Sequence, residues 1–206
     1  MPSDKQYNDA VNTVCDDLEK VDCYVLDVVE PDNFEGHIVY FRHGSRQIEI
    51  FAEKEERFFD IGYRINLAEN IGQSIDFEPN EEQPDLFGKK VSPETAVGYH
   101  KLAEIPTDQM RDFTYQLGMH LSSPFTSYQL STDNDGVVYS YAVWKKLFPY
   151  ERDYTLRRLE EAIQAVVSVG VNANRFVNRV LQSDFLEGES THIEDNKSVK
   201  EEDTID

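Results

Sequence analysis

The chain has 206 residues, with forty acidic side chains against twenty basic ones, a net charge of −20, and 39% hydrophobic and 12% aromatic residues. The length is enough to bury a sizeable core without staples, and the apolar content is that of a folded chain. A field of this sign repels phosphate backbones and anionic leaflets, which excludes nucleic acid and membrane as expected partners.

Three readings account for the acidity. The first is a solvated surface suited to a halophilic cytoplasm, where carboxylates keep a protein hydrated. The second is ordinary acidic composition with an acidic tail, and the third is a docking surface for a basic partner. Met1 to Ala10 contains no apolar h-region, and no apolar run reaches the roughly eighteen residues of a membrane span. A cytoplasmic protein is the expectation. Cys15 and Cys23 are the only cysteines, too few for a disulfide framework or a zinc site, and are expected as free thiols.

Tyr7, Val11, Val14 and Leu18 fall on one face of a 3.6-residue period and predict a first helix. Cys23 to Val29 is short and β-branched and predicts a strand. His37 to Phe41 and Gln47 to Ala52 flank Arg42-His43-Gly44-Ser45 as a hairpin, with Gly44 supplying a positive φ. In its second arm Ile48 and Ile50 alternate with Glu49 and Phe51. A further strand is predicted over Arg57 to Leu67, with Phe59, Ile61, Tyr63 and Ile65 on one face. Together these strands predict a three-stranded antiparallel meander.

Residues 68–92 read as an insertion, and Glu78 to Asp85 as an exposed loop. Ser92 is a helix cap with Pro93 at the first helical position, and that helix ends near Glu104. Thr107 is predicted to cap the next helix, with Met110, Phe113, Leu117 and Leu121 buried. Strands follow over Phe125 to Leu130 and Val137 to Trp144, joined at Asp133-Asn134-Asp135-Gly136, and Lys145 to Glu151 reads as a loop. A long apolar-striped helix is predicted from Thr155 to Gln182, bent or loosened at Gly170. Residues 184–206 are expected to be an acidic disordered tail after a single domain over 1–183. Antiparallel groups without βαβ alternation make the class α+β, with a helix, meander, helices, β-hairpin and long C-terminal helix.

The segment Ile105 to Leu181 carries a family pattern. It holds a proline-initiated helix (IPTDQMRDFTYQLGMHLSS), a strand with an acidic turn (PFTSYQLSTDNDG), a second strand (VVYSYAVWKKLF) and a helix with spaced aliphatics (YTLRRLEEAIQAVVSVGV). With the amino-terminal elements in the same order, the chain resembles the YbjN-like family and the wider type III secretion chaperone-like fold. The resemblance implies a catalysis-free interaction protein, a regulator or a chaperone for an extended partner segment. It carries over no functional residues.

No phosphate-binding, dinucleotide-binding or nucleophile-elbow motif occurs, so no catalytic residue, cofactor or metal is assigned. The five histidines are scattered. Ser131 to Gly136 has the opening of a calcium loop, but Ala142 stands where the bidentate Glu belongs. Along the second hairpin strand Val137, Tyr139, Tyr141 and Val143 are expected on one face, with Val138, Ala142 and Trp144 on the other. Apolar residues on both faces mean a second layer or an exposed patch. Tyr139, Tyr141, Trp144, Phe148 and Tyr150 are therefore the candidate protein-binding residues, in a core, dimer seam or groove. The expected function is a non-enzymatic interaction module, a homodimer with a protein or peptide partner. The alternatives are an enzyme with a site assembled from dispersed residues and a structural domain without a ligand.

Overall fold

A computed structural model describes residues 2–76 and 84–180. Helix α1 (Asp4–Lys20) opens with a capping box: the Ser3 hydroxyl accepts from the Gln6 N–H, and the Ser3 N–H donates to the Gln6 side chain. Its apolar stripe of Tyr7, Val11, Val14 and Leu18 is buried, as its spacing predicts. The Tyr7 hydroxyl donates to the Ala52 carbonyl at 2.7 Å and accepts from the His37 N–H at 2.8 Å. A buried hydroxyl thus finds its partners on the sheet it packs against.

Strands β1 (Cys23–Val29), β2 (Gly36–His43), β3 (Arg46–Glu53) and β4 (Phe59–Asn66) form the meander. It has four strands, because β1 pairs with β2 from Cys23↔His43 to Val29↔Ile38. The turn after β2 places Gly44 at φ 60°. The strand expected to run to Leu67 stops at Asn66, whose side chain accepts from the Glu69 N–H and caps helix α2 (Leu67–Gly72). Residues 68–92 hold most of α2 and a two-residue hairpin, β5 (Asp85–Leu86) with β6 (Lys89–Lys90). Helix α3 (Pro93–Ala103) starts as expected, with the Ser92 hydroxyl accepting from the Thr95 N–H. α2 and α3 cross at backbone contact: a Cβ on Gly98 would lie 1.7 Å from the Ala68 carbonyl oxygen.

Helix α4 (Thr107–Leu121) differs at its start. Pro106 is the cap and Thr107 makes no capping bond; the Pro106 carbonyl already accepts from the Met110 N–H at 2.8 Å. Strands β7 (Ser127–Thr132) and β8 (Val138–Leu147) follow. β8 runs past Trp144 through Lys145 and Lys146, which the sequence places in a loop, because it pairs with β4 as far as Phe59↔Leu147. Helix α5 (Leu156–Val180) closes the described part. The last residues of its predicted span, Leu181 and Gln182, lie outside the described residues, as do 77–83 and the predicted tail 184–206.

The second hairpin joins the meander through β4. The result is one six-stranded antiparallel sheet in the order β1-β2-β3-β4-β8-β7. Alternation sends Val39, Phe41, Ile48, Ile50, Phe59, Ile61, Tyr141 and Val143 to one side, where they are buried with residues of α1, α4 and α5. The protein is α+β, with helices segregated to one sheet face.

Gly170 does not break α5, which runs through it. Instead it lets the helix sit on the sheet: a Cβ there would be 2.1 Å from Tyr63 Cδ1, and the Tyr141 hydroxyl donates to the Gly170 carbonyl at 3.2 Å. Gly170→Ala would gain helix propensity but must displace a buried ring, and overpacking of this kind costs about 1–3 kcal/mol. Urea unfolding should show a lower midpoint with an unchanged slope.

Candidate functional site

The five sequence-selected residues do not form one surface. Ser131 pairs with Ser140 and Thr132 with Val138, so β8 carries an extra residue, Tyr139, at a bulge. The bulge breaks the expected alternation. Val138 is buried with Tyr141 and Val143, while Tyr139 turns toward Phe87 and Tyr99, stacking on Phe87 with centroids 5.3 Å apart. Tyr141 is fully buried beneath α5 and cannot meet a partner. Tyr150 is half-buried edge-on against Phe59, and Phe148 packs edge-on to Phe58 at the end of β8. Only Trp144 lies on the sheet face away from the helices.

The strand registers define that open face. One row across the sheet runs Tyr40, Glu49, Gly62, Trp144 and Ser127. A neighbouring row runs Ile38, Phe51, Asp60 and Lys146. Ile38, Tyr40, Phe51 and Trp144 are only half-buried. Glu49, Phe51, Asp60, Gly62, Arg64 and Trp144, with Gln129 and Ala142, line an open depression of about 230 Å³. Gly62 is part of its lining, and a Cβ there would come no nearer than 3.7 Å to Phe51 Cε2.

Burial pushes the Glu49 carboxyl above the usual carboxylate range, against the opposing charge of Arg64. Burial also raises Asp60, with Lys146 opposing and Glu56 adding to the shift. Asp60 Oδ1 is buried with no hydrogen-bond partner. The two cations have other seats. The Arg64 guanidinium lies 5.9 Å from the Phe51 ring centroid, and the Lys146 ammonium 3.3 Å from that of Phe58.

The alternation that reveals these residues is present in the sequence. Ile48, Ile50, Phe59, Ile61 and Tyr63 face the core, which puts Glu49, Phe51, Asp60, Gly62 and Arg64 outward. The missing information was the pairing of β4 with β8, which brings Trp144 beside them.

A second apolar area lies at the other sheet margin. Tyr115 and Met119, one turn apart on α4, are exposed, as are Phe125 and Tyr128. A Cβ on Gly118 would come within 3.2 Å of the Tyr128 hydroxyl, which places α4 against the edge strand β7.

The calcium-like turn is a closed hydrogen-bond unit. Asp133 Oδ1 accepts from the Asp135 and Val137 N–H groups at 2.9 and 2.8 Å, and Oδ2 accepts from the Tyr99 hydroxyl. Among the described residues no group of three or more His, Cys, Asp or Glu side chains could hold a metal. Likewise, no described helix is long and apolar enough to cross a membrane.

No protein-family model matches the chain, and no curated protein does. Among solved structures, the chain is similar to the crystal structure of an uncharacterised protein from Methanothermobacter thermautotrophicus. The TM-score is 0.58 at 12% identity, over 82% of this chain and 97% of that one. The likeness shows a shared fold.

The Tyr99–Asp133 bond predicts a pH dependence. The bond to Asp133, then burial, pushes the Tyr99 phenol up to about 12. Its stabilisation is complete below the unfolded Tyr value of about 10 and is lost as pH rises through about 12. Burial raises the Asp133 carboxyl, but bonds from Tyr99 and three backbone N–H groups outweigh it and hold the group below its usual value. That contribution is present above about pH 4 and is lost as pH falls through the lowered value. Tyr99→Phe should therefore flatten the alkaline limb of the urea midpoint between about pH 10 and 12 relative to wild type.

Proposed function

We propose that the protein is a non-enzymatic interaction module, chaperone-like or regulatory, that works as a cytoplasmic homodimer and holds a polypeptide segment on the open face of its sheet. The observation that carries this reading is the one-sided architecture. Among the described residues all three long helices pack on one face, and the other presents half-buried Ile38, Tyr40, Phe51 and Trp144 around a depression. A sheet face with half-buried aromatic residues and no covering layer among the described residues supports this reading, because aromatic side chains anchor interaction surfaces.

The exposed side chains of α4 and β7 support the homodimer. Tyr115, Met119, Phe125 and Tyr128 give a second copy an apolar seam on a surface separate from the open face. Two copies each carrying −20 repel, and salt screens that repulsion. A dimer built on an apolar seam under such repulsion tightens as salt rises, in keeping with a halophilic cytoplasm.

Sedimentation over a range of concentrations tests the homodimer. The wild type should self-associate more strongly at high salt than at low salt, and Met119→Lys should shift it toward monomer by about tenfold or more in dissociation constant. A strict monomer at every concentration and salt would remove this part of the reading. Photo-crosslinking from the open face tests the rest. A partner crosslinked near Trp144 should be lost from Phe51→Glu and retained by Met119→Lys. Equal crosslinking by wild type and Phe51→Glu would place the partner elsewhere.

A further inference from the structure

The Tyr7 hydroxyl is spliced into the sheet. His37 and Ala52 are cross-strand partners of β2 and β3, and the hydroxyl stands between them. It accepts from the His37 N–H at 2.8 Å and donates to the Ala52 carbonyl at 2.7 Å. Its single proton is therefore committed to the carbonyl, which can only accept. Burial pushes the Tyr7 phenol up to about 12, so that proton stays in place at neutral pH. The same oxygen lies 2.8 Å from Nδ1 of the His37 ring. With its proton spent on Ala52, Tyr7 accepts there too, so Nδ1 carries hydrogen. The opposite ring nitrogen, Nε2, lies 2.8 Å from Oε1 of Glu30, whose side chain is 65% exposed. An ionised carboxylate only accepts, so Nε2 carries hydrogen as well. A neutral imidazole has one proton and serves one of these partners; an imidazolium serves both.

Glu30 begins the loop between β1 and β2. The far end of that loop is held by backbone, the Glu35 carbonyl accepting from the Lys54 N–H at 3.0 Å. Between the two ends Phe34 packs edge-on to Phe51, a lining residue of the open depression, with centroids 6.3 Å apart. Other titratable groups adjoin the ring's partners. The Lys54 ammonium lies 6.0 Å from the Tyr7 ring centroid, and Tyr150 meets the same Phe59 ring as Tyr7. Glu35 and Glu53 flank the Gly36 and Ala52 positions of the ladder, and Asp4 and Lys5 are exposed on the turn of α1 before Tyr7. Among the described residues, the ring nitrogens bond to Tyr7 and Glu30 alone.

We propose that His37 is a pH-operated clasp: as an imidazolium it ties Tyr7 of α1 to Glu30, and on losing its Nε2 proton to solvent it keeps Tyr7 and releases Glu30, freeing the start of the loop that packs on Phe51. The inner bond outlasts the outer one because Tyr7 is buried, whereas the exposed Glu30 carboxylate regains water at once. The neutral ring is thus held as its Nδ1–H tautomer. The inference stands on these hydrogen bonds and is independent of what the open face binds.

Nitrogen-15 NMR of the full-length protein reads the ring directly, from about pH 5 to 9, a range that spans the charge change of histidine. At the acid end both ring nitrogens should carry hydrogen, and at the alkaline end Nδ1 alone. In wild type the backbone amides of Glu30, Asp32, Asn33 and Phe34 should shift together with the ring. Glu30→Ala, at an exposed side chain, should remove that coupled shift and leave the alkaline tautomer unchanged. Tyr7→Phe should abolish the preference for Nδ1–H; where that variant does not fold, the wild-type tautomer and Glu30→Ala carry the test. An alkaline ring protonated on Nε2 overturns the proposal, and so does a loop shift that persists in Glu30→Ala.

Discussion

The contact between Gly170 and the two sheet tyrosines sets the architecture. Without a Cβ at 170, the backbone of α5 comes down onto the Tyr63 ring of β4, and the Tyr141 hydroxyl of β8 reaches the helical carbonyl. β4 and β8 belong to segments separated by the insertion and two helices, and they are neighbours in the middle of the sheet. One helix lying across both strands joins the amino-terminal meander to the carboxy-terminal hairpin. A larger residue would lift the helix and open voids along the seam, and a core packed at crystal-like density does not absorb such a shift cheaply.

The same contact explains why the other face is bare. α5 is strongly amphipathic, and Leu159, Ile163, Val166, Val167, Phe176 and Val177 are all buried along it. α1 and α4 share that layer, with Phe113 of α4 stacked on Phe176. Every long helix is used on one side of the sheet, so the outward alternation of β3, β4 and β8 has no cover among the described residues. The depression around Gly62 is thus a consequence of topology as well as of its own residues.

Periodicity made most of the elements legible. The stripe Tyr7, Val11, Val14 and Leu18 gave α1, the alternation Phe59, Ile61, Tyr63 and Ile65 gave the inner face of β4, and the cap Ser92-Pro93 gave the start of α3. Non-local pairing was less accessible. That Lys145 to Leu147 is strand follows from β4 lying alongside, and the bulge at Tyr139 follows from the β7 register. Neither leaves a mark in local composition. The site was half visible for the same reason. Choosing aromatics along one strand singled out Trp144 together with core Tyr141, because the partners of Trp144 sit on strands brought to it only by folding. The capping bond expected of Thr107 failed on a smaller scale, since Pro106 ends the preceding turn in an extended conformation and takes the cap position itself.

The strongest reason to look for function at Gly62 is the concentration of local misfits around it. Glycine within a strand paired on both sides gives up roughly 0.5–1 kcal/mol relative to alanine, and packing does not demand it here, since a Cβ would have ordinary contacts. Next to it Asp60 holds a carboxylate oxygen away from water and from any donor. Across the β3–β4 ladder Glu49 is raised by burial on a face where exposure would have cost nothing. On the inner face of β2, β3 and β4 the sequence obeys the rules: Val39, Phe41, Ile48, Ile50, Phe59 and Ile61 point inward, and the turn after β2 carries Gly44 at positive φ. A fold selected only for stability would replace each of the three with a residue that fits better, and the three gather in one aromatic-walled depression.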